Sequence, residues 1–196
     1  SVLHGTLRLA DTTGLSFQSG ADATGRMTIR GTLNALNAAL NGLKYTPELN
    51  FNGADTLTLE TNDRGFTGTQ GALLDVDRVA ITVRPIIDGA PVVSNAATTF
   101  QTPTASGLEI QRNSGDGPEA AFFQITGITR GRLFHRDGKS EILNGNFITA
   151  SEAAAGLRFT PTANPRADGS FHVQASLSDA ANGSGLGGAI ATAAIS

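Results

Sequence analysis

The chain contains one passage twice, and this repetition limits its fold more than any single motif does. The first copy runs from Thr32 to Asp63 (TLNALNAALNGLKYTPELNFNGADTLTLETND) and the second from Thr149 to Asp179 (TASEAAAGLRFTPTANPRADGSFHVQASLSD). In each, a threonine precedes a short alanine-rich helical turn and a glycine stops it. Leu-Lys-Tyr-Thr-Pro or Leu-Arg-Phe-Thr-Pro then begins a strand. A turn and an alternating strand follow, and aspartate closes the unit.

Local chemistry explains each part. Thr149 and Glu152 have capping-box spacing, and Thr32 can cap the first turn in the same way. Leu33, Leu36, Leu40 and Leu43 recur at helical spacing and predict one apolar stripe against a core. Gly42 and Gly156 stand where a helix end takes a left-handed residue. Beyond the turn the period becomes two. Leu57, Leu59 and Thr61 share one face, and Phe171, Val173, Ala175 and Leu177 are expected inward. Both copies read as half-buried antiparallel strands, so the fold class is all-β.

Two copies in 196 residues predict two domains of ordinary size. The predicted division is residues 1–86, a linker over 87–91 (Ile87-Asp88-Gly89-Ala90-Pro91) and residues 92–196. With no tryptophan and one methionine, the cores must be built from Leu, Ile, Val, Phe and Ala. A net charge of −3 is too small to direct the chain to nucleic acid. No apolar run approaches the roughly 20 residues of a membrane-spanning helix. Cysteine is absent, which removes disulfides and thiolate metal sites.

The copies have unequal prefaces. About forty residues of the second unit precede Gly131-Arg132-Leu133, whereas four precede Gly5-Thr6-Leu7. The first sandwich is therefore expected to lack its opening strand or strands. The chain would then be part of a longer tandem array, or another chain would supply the strand by β-augmentation.

Catalysis finds little to work with. His4 and His172 lie on alternating strands and His135 beside a turn, without the context of a triad or a zinc helix. Glu48, Glu60, Glu109, Glu119, Glu141 and Glu152 are scattered, not paired across a cleft. The glycine-rich loops over 65–71 and 183–188 lack a following Lys-Ser or Lys-Thr and helix, so they read as surface connections. Arg130, Arg132 and Arg136 form a small basic cluster that could meet an acidic glycan, but a solvated strand face is the stronger reading. No enzyme activity is expected.

Several stretches resemble a known family: Gly5-Thr6-Leu7, the run from Gly31 to Pro47, Asn50-Phe51-Asn52-Gly53-Ala54-Asp55 and Asp75-Val76-Asp77. They are similar to cadherin-like repeats of giant bacterial surface proteins. The second unit resembles a companion repeat, and also that of chondroitin sulfate proteoglycans, through Phe123 to Phe134, Asn144 to Thr149, Gly156 to Pro161 and Ser170 to Ser176. The resemblance implies two tandem Greek-key, immunoglobulin-like sandwiches, secreted or at the cell surface. It further implies a spacer in an adhesin, with a carbohydrate- or surface-binding module or a strand-exchanging filament subunit as alternatives. Expected partners are neighbouring repeats, a cell-surface glycan or another copy by strand addition. By analogy with cadherins it implies Ca2+ at the module junction, held by Asn62, Asp63, Asp75, Asp77 and Asp88. These residues are too few for three ions, which leaves one ion or none.

Overall fold

The computed structural model describes residues 1–66, 71–162 and 168–196. The glycine-rich loop predicted over 65–71 and the turn within the second repeat therefore lie partly outside the described residues. The chain is all-β apart from two short helices, and its contacts divide it into two compact units, Ser1–Pro85 and Ile86–Ser196. Residues 87–91, predicted as a linker, fall in the second unit, where the Asp88 N–H and the Ala90 carbonyl are hydrogen-bonded to the turn at Asn113–Asp116.

The second unit is a two-sheet sandwich. One sheet has the order β12 (Phe147–Thr149), β9 (Phe122–Thr129), β14 (Gly169–Ser176), β15 (Ala191–Ile195). The other has β11 (Glu141–Ile142), β10 (Gly131–Phe134), β13 (Arg158–Pro161). Period-two patterning turns Phe123, Ile125, Leu133, Phe159, Phe171 and Val173 into one fully buried cluster between the sheets. A further ladder joins β7 (Val92–Val93) to β8 (Ile110–Gln111). Beyond β7 the chain changes sheets: Ala96 lies parallel to Ile195, and its N–H donates to the Ala194 carbonyl. The outer edge of β15 is thereby covered. The five-residue helix α2 (Ala150–Ala154) starts on the predicted capping box, with Thr149 and Glu152 each satisfying the other's backbone N–H.

The first unit consists of three two-stranded ladders. β1 (Gly5–Arg8) pairs with β4 (Lys44–Pro47), β2 (Ser16–Gly20) with β3 (Met27–Arg30), and β5 (Gly53–Asn62) with β6 (Leu74–Val83). The eight-residue helix α1 (Leu33–Leu40) begins at Thr32, whose hydroxyl accepts from the Ala35 N–H at 3.2 Å. Its buried apolar residues are few: Val2, Leu7, Leu9 and Ala39. Among the described residues this unit has no counterpart of β7, β8 or β9.

The sequence repeat has a structural counterpart in register. Gly5 faces Pro47 and Leu7 faces Tyr45, just as Gly131 faces Pro161 and Leu133 faces Phe159. Glycine is needed at the head of each ladder because a Cβ would collide with the facing ring and carbonyl, Tyr45 and Thr46 in one case, Phe159 and Thr160 in the other. Gly42 and Gly156 have φ of +97° and +84°, the left-handed values predicted for helix ends.

Two inward assignments differ from expectation. Leu33 is 73% exposed and Ala39 is the fully buried residue of α1, because the helix approaches the chain closely where the Ala10 N–H donates to the Ala39 carbonyl. In β14 the alternation ends early. Ser176 is buried in place of Leu177, its hydroxyl donating to the Ser178 carbonyl as the strand gives way to a turn.

Candidate functional site

The longest ladder of the first unit is also the least covered. β5 and β6 pair antiparallel over ten residues each, from Gly53 opposite Val83 to Asn62 opposite Leu74. One face carries Asp55, Leu57 and Leu59 with Ile81, Val79, Asp77 and Asp75; the other carries Thr56, Thr58 and Glu60 with Ala80, Arg78 and Val76. Leu57, Leu59, Ile81 and Val83 are only half-buried, and Val79 is 55% exposed. In the second unit the matching positions, Val173, Ala175, Ala193 and Ile195, are all buried.

The edges differ in the same way. β14 is flanked by β9 on one side and β15 on the other, and residues 96–98 continue along the edge of β15. Among the described residues β6 pairs with β5 alone. On the other edge of β5, Ser1 completes a pair of bonds, its ammonium donating to the Thr58 carbonyl at 2.7 Å and its carbonyl accepting the Thr58 N–H at 2.9 Å. Asp75, Asp77 and Arg78 place charges along the first half of β6, a common guard on exposed edges. From Val79 to Val83 the strand carries none.

Asp55 anchors this ladder. It occupies the position that Phe171 fills in the second unit, and it is only 6% exposed. Burial alone would raise its pKa. The N–H groups of His4, Leu3 and Thr56 and the Tyr45 hydroxyl, all donating to its carboxylate, outweigh that effect and hold it at about 2. His4 also stacks on Phe51, with ring centroids 4.4 Å apart. An aspartate at the inward parity of a strand was the available signal for this anchor, and the sequence reading passed over it.

The predicted metal ligands are placed in separate local settings. Asn62 Oδ1 accepts from the Arg64 N–H, and Asp63 Oδ1 accepts from Gly65 and Leu73, so both act as turn acceptors. Asp75 and Asp77 lie opposite Thr61 and Leu59 on β6 and are exposed. Asp88 belongs to the second unit. Among the described residues no three Asp, Glu or His side chains converge to hold a metal.

Two further polar clusters are engaged locally. An open hollow of about 310 Å³ is lined by His135, Arg136, Asp137, Ser140, Glu152 and Ala155. His135 Nδ1 lies 3.6 Å from Glu152 Oε1, and Ser140 Oγ donates to Asp137 Oδ2 at 2.7 Å. The Lys139 N–H, the Ser140 hydroxyl and the Ser140 N–H hold the Asp137 carboxyl at about 2, far too weak a base to ionise a serine. Two members of the basic cluster are similarly occupied: Arg132 makes a two-point bond to Glu141 and lies over the Phe134 ring, while Arg136 donates to the Ala155 carbonyl.

Comparison with known proteins corrects the expected family. Over residues 4–71, within the first unit, the chain is similar to the Protein GAMETE EXPRESSED 2 domain. No curated protein and no solved structure matches it. The matching model is not a bacterial cadherin-like repeat, so that family, the spacer role in a bacterial adhesin and the biofilm setting are overturned. The physical reason lies in what the quoted residues do. Gly5, Thr32, Gly42 and Pro47 serve ladder approach, helix capping, helix termination and strand register. Such demands belong to β-sandwich units in general, so they do not distinguish one family from another.

Proposed function

We propose that the chain is a non-catalytic protein-recognition module whose first unit accepts an extended segment of a partner protein as an added strand on β6. The observation that carries this reading is the uncharged half of β6, Val79–Val83, with a half-covered apolar face and an outer edge that no strand among the described residues pairs. The second unit supplies the argument for the occupant. At the same place on β15, beside Ile195, the position equivalent to Val83, a segment runs parallel to the strand, held by backbone bonds and by Asn95 Oδ1, which accepts the Ala194 N–H at 2.9 Å. Strand addition draws affinity from such bonds and specificity from alternate side chains. The occupant is therefore an extended peptide with an apolar residue at every second position. The family match falls on the unit that carries this ladder and supports a eukaryotic, gamete-expressed setting for the module.

Random peptides displayed on phage and selected on the full chain test the reading. Selected peptides are expected to alternate apolar and polar residues and to protect the amides of Val79–Val83 from hydrogen exchange. Val79→Lys, at an exposed position, is expected to abolish that protection. Peptides that protect only the second unit, or that leave β6 exchanging freely, would overturn it.

A further inference from the structure

Independently of that ladder, the second unit contains a buried carboxylate without a counter-charge. Asp116 is 8% exposed, and among the described residues its Oδ2 has no hydrogen-bond partner. Its Oδ1 accepts the Asp88 N–H at 2.6 Å, which brings the segment before β7 against the turn between β8 and β9. Among the described residues, the salt bridges, Arg132–Glu141 and His135–Glu152, do not involve it. An ionised oxygen left bare in the interior is costly, and buried charges are ordinarily paired or bound to a metal.

The surroundings supply further oxygens. Asn113 Nδ2 donates to the Ala90 carbonyl at 3.2 Å, which fixes the amide, while Asn113 Oδ1 accepts the Gly115 N–H at 2.8 Å and keeps a second lone pair. Gly115 leaves room beside them. A Cβ there would stand 3.2 Å from Asn113 Oδ1 and 3.4 Å from Asp88 Oδ2. Glu119 accepts the Gly117 N–H. Asp88 is exposed and leaves the cradle open to solvent.

We propose that Asp116 Oδ2, the Asp88 carboxylate and Asn113 Oδ1, completed by turn carbonyls and water, hold one divalent cation of the calcium type in the second unit. Donors that are all oxygen and include no imidazole select a hard ion, and calcium takes six to eight oxygens in flexible geometry. Two carboxylates place the affinity in the weak class, with a dissociation constant of about 10⁻⁴–10⁻³ M. Such a site fills where calcium is millimolar, as it is outside cells. The cation expected from sequence thus acquires a different set of ligands, with Asp88 the one residue in common.

The test compares the full chain in chelator with the same chain in millimolar CaCl2 at matched ionic strength. Melting temperature and the amide shifts of residues 88 and 113–117 are the readouts. Calcium is expected to raise the melting temperature and move those amides saturably. Asp116→Asn and Asp88→Asn should each weaken the response by roughly tenfold or more, since even changes behind the ligands commonly cost that much. Gly115→Ala should do the same by filling the cradle with every carboxylate intact. Asp75→Ala and Asp77→Ala should leave the response unchanged. In chelator, Asp116→Asn should melt no lower than the parent, because it removes an unpaired charge. Asp88→Asn, at an exposed position, keeps the test open if Asp116→Asn fails to fold. Absence of any calcium response, or one that survives Asp88→Asn and Gly115→Ala, would overturn the proposal.

Discussion

At the scale of the residue, Asp55 shows how one buried carboxylate can replace a core aromatic. Its four donors come from three separate segments, so it ties the N-terminal residues and Tyr45 to β5. A carboxyl held at about 2, below its ordinary 3.8, contributes its stability above pH 4 and loses it as pH falls towards 2. Acid should therefore loosen the first unit across that window, with the amides of Leu3 and His4 moving first in an NMR titration. Asp55→Asn keeps the shape but turns an N–H donor toward other donors, and should lower the melting temperature of the first unit by several degrees while sparing the second. The sequence held half of this. Alternation along 53–62 puts Asp55 on the inward face, but apart from Thr56 its partners lie 10 and about 50 residues away and no local pattern announces them. The same limit applies to Asp116, whose neighbour Asp88 is 28 residues distant.

Elements were the more legible level, because their signals are short-range. Thr32 and Thr149 cap, Gly42 and Gly156 terminate, and period-two runs become β5 and β14. Burial was harder to foresee, since it depends on what the rest of the chain brings. Leu57 and Val173 occupy equivalent positions, yet only Val173 is fully buried. Truncation should report this difference. Phe159→Ala, in the sealed cluster, should cost about 3–5 kcal/mol in urea unfolding followed by circular dichroism. Leu57→Ala, half-exposed, should cost less than about 2 kcal/mol, below the range for fully buried leucines. Gly131→Ala should destabilise by about 1–3 kcal/mol through overpacking against Phe159 and Thr160.

For the whole molecule, the unequal cores imply unequal stability. Among the described residues the second unit buries fifteen apolar side chains in one cluster, whereas the first divides its contacts among three ladders. Hydrogen exchange should find β9 and β14 slowest and β6 fastest among the long strands, and melting should begin in the first unit. A single cooperative transition with uniform protection would contradict this. Two units with matching ladders also face a hazard peculiar to tandem repeats, the capture of a strand by the neighbouring copy during folding. Here the buried carboxylate acts as a label of origin. A β5 strand seated in the second core in place of β14 would bury Asp55 in the apolar cluster of Phe159, Ile125 and their neighbours without its donors. A β14 strand seated in the first unit would press Phe171 against the N–H groups of Leu3 and His4. One substitution between the copies penalises both wrong exchanges, so the replacement that weakens the first core also keeps each repeat faithful to its own strand.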